Sequence, residues 1–351
     1  MTAEAPPEVD YYRDRYWNDL EPVVAHLKRL ATGSEAEWWT GYVTRVHCTP
    51  PRRRALVIGC GNGWVERELF DLGAALEFDA FDVSERYVAE AEAARGGRPI
   101  TYRVAEFRTW RPRRRYDLIV NVAALHHAQH LRRVTYRLAR ALEPGGVFVN
   151  WEYVGPDRNI YSDDHLARLR AANAALPAHL ATPHPLRSSV RHMAAQDPTE
   201  AVHASEIIPT LEACFSILER RDLGGGLAYP LLWNNVAPFT ADPEAEAVLG
   251  RLLTEDAEAT ARGEIPTLFT FLVAGPRPGR PSLRFQAARL VAEPVRETLG
   301  AASGGLYGRM GVDEAVWRVK RWYVRNREAL KHGQWRVRRR VAVARGRAPR
   351  D

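Results

Sequence analysis

Ala55-Leu56-Val57-Ile58-Gly59-Cys60-Gly61-Asn62-Gly63 is the stretch on which the reading of this chain turns. Four apolar residues bounded by a glycine cluster fit a short, fully buried parallel strand. Beyond Gly63, apolar residues fall at Val65, Leu69 and Leu72, the spacing of one helix face. Glycines where a strand turns into a helix let the backbone approach a ligand, and the helix N-terminus offers unpaired N–H groups. The spacing is G-x-G-x-G, not the G-x-G-x-x-G of dinucleotide-binding dehydrogenases. Asp82 stands nineteen residues after Gly63, at the end of a second apolar run. A carboxylate there can accept both hydroxyls of a ribose.

Outward from this stretch the alternation repeats. Strands are expected over 76–83, 100–104, 116–122 and 147–153. Ser84 is placed to cap a helix carrying Val88, Ala91 and Ala94. Leu131, Val134, Leu138 and Leu142 mark another helix, which Pro144-Gly145-Gly146 is expected to break. Such alternation means a doubly wound α/β sheet with helices on both faces. Residues 11–48, with Tyr12, Tyr16, Trp17, Leu20, Val23, Val24, Leu27 and Leu30, read as helical. Residues 156–206 are polar, contain Pro177, Pro183, Pro185 and Pro198, and carry His165, His179, His184, His192 and His203; they read as a helical insert over the strand ends. Two more strands are expected at 215–223 and 268–274. The organisation is an N-terminal helical segment (1–50), a main domain (51–275) and a basic extension (276–351).

The segment from Leu56 to Asp82 resembles the cofactor half of the class I S-adenosylmethionine-dependent methyltransferases. Glu106-Phe107 after the third strand, Tyr116-Asp117-Leu118-Ile119 opening the fourth, and Leu142-Glu143-Pro144-Gly145-Gly146 before the fifth follow in the family's order. The resemblance covers about residues 50–155 and the two late strands. It implies a seven-stranded Rossmann-like sheet whose last strand is antiparallel to its neighbours, with S-adenosyl-L-methionine as cofactor. It places Gly59, Cys60, Gly61 and Gly63 along the methionine and ribose, Asp82 on the ribose hydroxyls and Val83 against the adenine. Glu106 would meet the adenine amino group, Phe107 would pack on the ring, and Asn121 and Ala123 would close the floor under the sulfonium. Ile58 departs from the pattern, since many members carry an acid just before the first glycine. Recognition of the methionine ammonium then falls to backbone carbonyls or another side chain.

His126 and His127 follow the fourth strand, where the methyl group would emerge, and either imidazole could take a proton from an acceptor. Methyl transfer from a sulfonium is an in-line displacement that positioning and desolvation can drive, so a base is not mandatory. Glu152 and Tyr153 end the fifth strand, and Tyr161 and His165 open the insert; these four are candidates for holding the acceptor. Ser162-Asp163-Asp164-His165 reads equally as a helix N-cap run. The five insert histidines lack HxxxH spacing, so no metal is expected.

Of 351 residues, 46% are apolar and 26% charged, an ordinary balance for a globular protein with ample chain for a core. The net charge of +7 is unevenly held: residues 276–351 contain 19 Arg and Lys against 6 Asp and Glu, leaving the first 275 residues at −6. An acidic body argues against a domain built to grip nucleic acid. The expected acceptor is therefore a hydroxyl or amine of a small molecule or glycan. RNA held by the basic tail, or a non-catalytic binding module, are the alternatives; Asn121-Val122-Ala123-Ala124 lacks the Pro-Pro-aromatic pattern of base methylation. Between 317 and 347, Trp and Val alternate with Arg, suiting peripheral contact with an anionic membrane, an acidic partner, or a solvated extension. Three scattered cysteines, no long apolar run and an acidic start at 1–10 lead to a cytoplasmic expectation.

Overall fold

The computed structural model describes residues 16–187, 197–241, 244–279, 281–282 and 285. They belong to the first of two compact units, Met1–Leu290 and Val291–Asp351. The Arg-rich stretch of residues 317–347 and each of its suggested contacts, together with Tyr12 and His192, lie outside the described residues.

Seven strands form one sheet: β1 (Arg52–Ile58), β2 (Ala75–Asp82), β3 (Ile100–Val104), β4 (Tyr116–Val122), β5 (Leu142–Tyr153), β6 (Phe215–Asp222) and β7 (Phe269–Pro276). Their order is β3-β2-β1-β4-β5-β7-β6. β1 through β5 run parallel, and β7 lies antiparallel between β5 and β6. This is the seven-stranded doubly wound sheet expected above. Its central strands read as unbroken apolar runs because helices cover both faces: Leu56, Val57, Ile58, Leu118, Ile119 and Val120 are all buried.

One local expectation is sharpened and one is corrected. The N-terminal helical stretch is two helices, α1 (Glu21–Thr32) and α2 (Trp39–His47), because Gly33 takes a left-handed φ of 82° and closes α1 with its N–H on Arg29 O. Pro144-Gly145-Gly146 does not separate helix from strand. The helix α5 (Leu131–Ala141) ends before it, and β5 already begins at Leu142, which pairs with Tyr116 across a register shift.

α2 lies on the antiparallel half of the sheet. Trp38 and Trp39 meet Trp151 at centroid separations of 5.1 and 6.3 Å, and Tyr42 meets Phe271 at 6.1 Å. A side chain as large and as buried as Trp39 contributes roughly 1.5–3 kcal/mol by burial alone. On the parallel half, α3 (Trp64–Asp71) and α4 (Glu85–Ala94) follow β1 and β2, and the Ser84 hydroxyl caps α4 by accepting from Tyr87 N at 3.2 Å. The insert carries α6 (Asp163–Ala175), and α7 (Ile207–Cys214) leads into β6. α8 (Ala228–Leu232), α9 (Val236–Ala241) and α10 (Ala245–Ala261) fill the crossover to β7. Asp256 of α10 fastens the loop after β6 by accepting from Gly225 N (2.8 Å), Leu227 N (2.6 Å) and Ala228 N (2.8 Å). Among the described residues no helix is long and apolar enough to cross a membrane.

Candidate functional site

Phe81, Ile58, Asn121 and Asn150 stand in one register row across β2, β1, β4 and β5. The residues just beyond that row therefore gather along the C-terminal edge of the sheet, where open α/β sheets bind ligands. They are Asp82-Val83, the glycine loop, Ala123 to His127, and Glu152-Tyr153.

The glycine loop is built by its backbone. Gly59, Gly61 and Gly63 have φ of 60°, 53° and 79°, a region costly for residues with a Cβ. Gly59 also has no room: a Cβ there would lie 2.3 Å from Ala124 Cβ. Asp82 organises the loop, with Oδ2 accepting from Gly61 N and Oδ1 from Ser84 N, both at 2.9 Å. Each oxygen keeps a further lone pair for a ligand hydroxyl, since an ionised carboxylate accepts about four hydrogen bonds. Val83 beside it is 65% exposed, an apolar surface left uncovered. Phe107 is half-buried, edge-on to Phe81 at 5.8 Å and close to the Gly59 position, while Glu106 is exposed. Arg137 of α5 holds that segment by donating to the carbonyls of Phe107 (3.0 Å) and Trp110 (3.1 Å). Burial pushes the Cys60 thiol up, so Cys60 shapes the loop as a neutral side chain. These features fit a nucleoside with a polar tail: a pinned carboxylate, an open apolar face and a backbone a ligand can approach. Ile58, where an acid is common, is completely buried and offers a ligand nothing polar.

The other half of the edge is a polar cluster. Asn121 is fully buried and spends its side chain inside the protein: Nδ2 donates to Asn150 Oδ1 (2.8 Å) and Glu152 Oε2 (2.9 Å), and Oδ1 accepts from Leu125 N (3.1 Å). Expected on a cofactor floor, its side chain supports the turn of residues 125–127 from within the protein. Ala123 is exposed, with φ of 48°. Glu152 is likewise not at an open mouth. It is inaccessible, accepting from Leu125 N (2.8 Å) and Tyr153 N (2.7 Å), and it engages His126 Nδ1 at 2.6 Å. Burial works against both charges, but each compensates the other. Glu152 is held below the usual carboxylate range, and His126, between Glu152 and Glu200, well above the usual imidazole value. The His127 ring lies 4.1 Å from that of His126, tilted by 42°, and bonds Thr199 Oγ1 through Nδ1 at 3.0 Å. Burial, helped by the neighbouring His126 charge, brings it down to about 4.

The remaining insert candidates are packed rather than presented. Tyr153 is buried and donates to Pro156 O (3.1 Å). His165 is buried on α6, with Nε2 donating to Gly226 O at 2.7 Å, and Tyr161 lies edge-on to its ring at 4.8 Å. Ser162 caps α6 by accepting from His165 N, so the capping alternative describes this run. The structure adds residues the sequence reading did not single out: Asp197, Thr199 and Glu200. Glu200 Oε2 lies 3.5 Å from His126 Nε2 and 3.8 Å from His127 Nε2. Arg158 fastens the segment by donating to the carbonyls of Asp197 (3.2 Å), Pro198 (2.7 Å) and Glu200 (3.2 Å). Asp197-Pro198-Thr199-Glu200 announces a local turn, with Asp197 Oδ1 accepting from Thr199 N (2.7 Å) and Glu200 N (3.1 Å).

The family described as "Methyltransferase domain" matches residues 55–146, from β1 into β5. A curated relative, the ubiquinone biosynthesis O-methyltransferase of Bradyrhizobium sp., is 30% identical over 105 residues, which is 28% of this chain. The chain spans 42% of that relative's length. Among solved structures, an S-adenosylmethionine-dependent methyltransferase from Mesorhizobium loti is similar at 19% identity and a TM-score of 0.41, over 67% of this chain and 96% of that one. The N-methyltransferase NodS from Bradyrhizobium japonicum, in complex with S-adenosyl-L-homocysteine, is similar at 16% identity and a TM-score of 0.39, over 63% and 89%. Residues 55–146, which hold the glycine loop, Asp82 and the first four strands of the seven-stranded sheet, thus match a methyltransferase domain.

Proposed function

We propose that this protein transfers a methyl group from S-adenosyl-L-methionine to a hydroxyl or amine of a small molecule or glycan. The observation that carries the reading is Asp82, pinned on Gly61 N and Ser84 N beside the uncovered Val83. A carboxylate so held can accept two ribose hydroxyls, with Val83 and Phe107 available to the flat face of a base. Gly59, Cys60, Gly61 and Gly63 would line the methionine and ribose through their backbone, and Glu106 is exposed where it can reach an amino group. When bound, the cofactor supplies an electrophilic methyl on a sulfonium.

The chain's own part in the transfer is positioning and exclusion of water. The turn at 125–127 is locked by Asn121 and Glu152, so His126 and His127 are held at one place beside the cofactor loop. The insert closes on them through Glu200 and Thr199. Tyr153, Tyr229, Trp17 and Phe269 pack together nearby, with Tyr229 and Phe269 4.9 Å apart and Trp17 and Phe269 5.4 Å apart. A polar cluster backed by aromatic rings favours a compact acceptor over a polymer groove, and a hydroxyl agrees with the name of the curated relative. The acidic charge of the first 275 residues supports the same choice.

Calorimetric titration with S-adenosylhomocysteine tests the cofactor half. The wild type should bind, and Asp82→Ala should weaken binding at least about tenfold, the loss of one or two hydrogen bonds to a charged group. Equal binding by both proteins would sink the reading. Transfer of labelled methyl to a panel of hydroxyl and amine acceptors then tests the acceptor class.

A further inference from the structure

Glu200 brings a carboxylate from the insert between two imidazoles that lie more than seventy residues earlier in the chain. Its Oε2 is 3.5 Å from His126 Nε2 and 3.8 Å from His127 Nε2, and the ligand-type atoms of the three residues all lie within 4.8 Å of one another. In a four-coordinate zinc site with bonds of about 2.0–2.1 Å, neighbouring donors sit about 3.3 Å apart. Small side-chain adjustments therefore take these three onto a common ion.

Each ring is also oriented by its other nitrogen. Glu152 Oε1 holds His126 Nδ1 at 2.6 Å, and Thr199 Oγ1 holds His127 Nδ1 at 3.0 Å. A carboxylate or hydroxyl behind a histidine, fixing which nitrogen faces forward, is the usual outer support of a metal-ligating imidazole. Arg158 performs the same service for the third residue by tying down the carbonyls from Asp197 to Glu200.

We propose that His126, His127 and Glu200 form a binding site for a divalent transition-metal ion of the zinc type. Two nitrogen donors and one oxygen donor suit a borderline ion; magnesium and calcium prefer oxygen alone. Three protein ligands leave a further position for water or an acceptor heteroatom, the arrangement of a catalytic zinc site rather than a closed structural one. The expectation of no metal rested on histidine spacing within 156–206 and does not reach this cluster, two of whose ligands precede the insert. The site does not depend on the methyl-transfer reading, because ion binding is measured without cofactor or acceptor. Where both hold, an acceptor hydroxyl on the ion would give up its proton more easily.

The test uses the full chain, stripped with a chelator and titrated with zinc, and separately with cobalt(II) followed by visible absorption. One zinc per chain and the bands of a four-coordinate nitrogen and oxygen site are expected. Glu200→Gln and His127→Gln should weaken zinc by more than about 100-fold, and Thr199→Ala by about tenfold, as for loss of an outer partner. Circular dichroism and S-adenosylhomocysteine binding show that each variant is folded, and Thr199→Ala still decides the matter if a ligand variant is not. Zinc uptake unchanged in Glu200→Gln, or a near-ultraviolet thiolate band placing cobalt on Cys48, Cys60 or Cys214, would overturn the proposal. So would a wild type that binds S-adenosylhomocysteine but takes up no zinc.

Discussion

Glu152 Oε1 lies 2.6 Å from His126 Nδ1, and neither side chain is more than marginally accessible. The pair joins the last residues of β5 to the turn after β4, and the same carboxylate also accepts from Leu125 N and Tyr153 N. A charge buried this deeply is tolerable only because each of its lone pairs is used. Glu152→Gln keeps the shape but turns an amide N–H₂ toward existing donors and leaves His126 only the more distant Glu200 carboxylate at 3.5 Å. We expect a loss of about 3 kcal/mol or more, since breaking one member of a buried pair strands the other. Urea unfolding followed by tryptophan fluorescence measures it; a change below about 1 kcal/mol would show the pair to be dispensable.

Gly59 couples the two halves of the site, because a Cβ on it would meet Ala124, the residue that opens the turn of His126 and His127. Gly59→Ala combines a left-handed backbone cost of about 1–2 kcal/mol with overpacking of similar size. Gly73 is the control: it has a φ of 80°, but nothing lies within 4 Å of where its Cβ would stand, so Gly73→Ala bears the backbone cost alone. Thermal melts should order the proteins as wild type, Gly73→Ala, Gly59→Ala from most to least stable. S-adenosylhomocysteine affinity should fall only in the last. Equal melting temperatures for the two variants would remove the claimed contact.

These couplings divide by whether their cause is local. β4 (Tyr116–Val122) was legible residue for residue, because a parallel strand buried on both faces is a short apolar run between turns, and β3 (Ile100–Val104) because an edge strand alternates buried Ile100 and Tyr102 with exposed Thr101. The glycine loop and Asp82 were legible because the backbone geometry demands those residue types at that spacing. The start of β5 was not, since Pro144-Gly145-Gly146 carries the signal of a break while pairing of Leu142 with Tyr116 extends the strand through it. Glu200 was invisible for a different reason. Its turn is written locally in Asp197 to Glu200, but its meeting with His126 depends on Arg158 and on where β5 ends. Glu66 could have been found: it shares a face with Leu69 three residues on, and both are fully buried.

Asp79 on β2 accepts from Arg114 Nε (2.8 Å), Arg114 Nη2 (3.0 Å) and Tyr116 Oη (2.7 Å), stitching β2 to the start of β4. Burial would raise its carboxyl, but the Arg114 and Tyr116 bonds outweigh that and hold it below the ordinary value. A depressed folded value means its stabilisation is present above the ordinary aspartate range and lost as pH falls through the folded value. Asp79→Asn should therefore lower stability at neutral pH by about 1–3 kcal/mol and flatten the acid limb of a stability–pH curve. An acid limb with unchanged steepness in the variant would show that other carboxylates carry it.

Glu66 has the opposite sign. It sits in the first turn of α3, directly after Gly63, and among the described residues neither carboxyl oxygen has a hydrogen-bond partner. Burial pushes it up to about 7, against the smaller lowering influence of its own backbone N–H, the nearby Tyr102 hydroxyl and Arg67, while Asp82 adds slightly to the rise. A raised folded value means the favourable contribution is complete below the ordinary glutamate range and is lost as pH rises through about 7. The wild type should lose roughly 3 kcal/mol of stability from this group between about pH 5 and pH 8, and Glu66→Gln should not. The loop immediately before α3 holds the glycines, so S-adenosylhomocysteine affinity should follow the same curve and become flatter in the variant. Melting temperatures and calorimetric affinities across that range check both. If wild type and Glu66→Gln trace parallel curves, the Tyr102 hydroxyl and the backbone N–H hold the buried acid ionised and outweigh its burial.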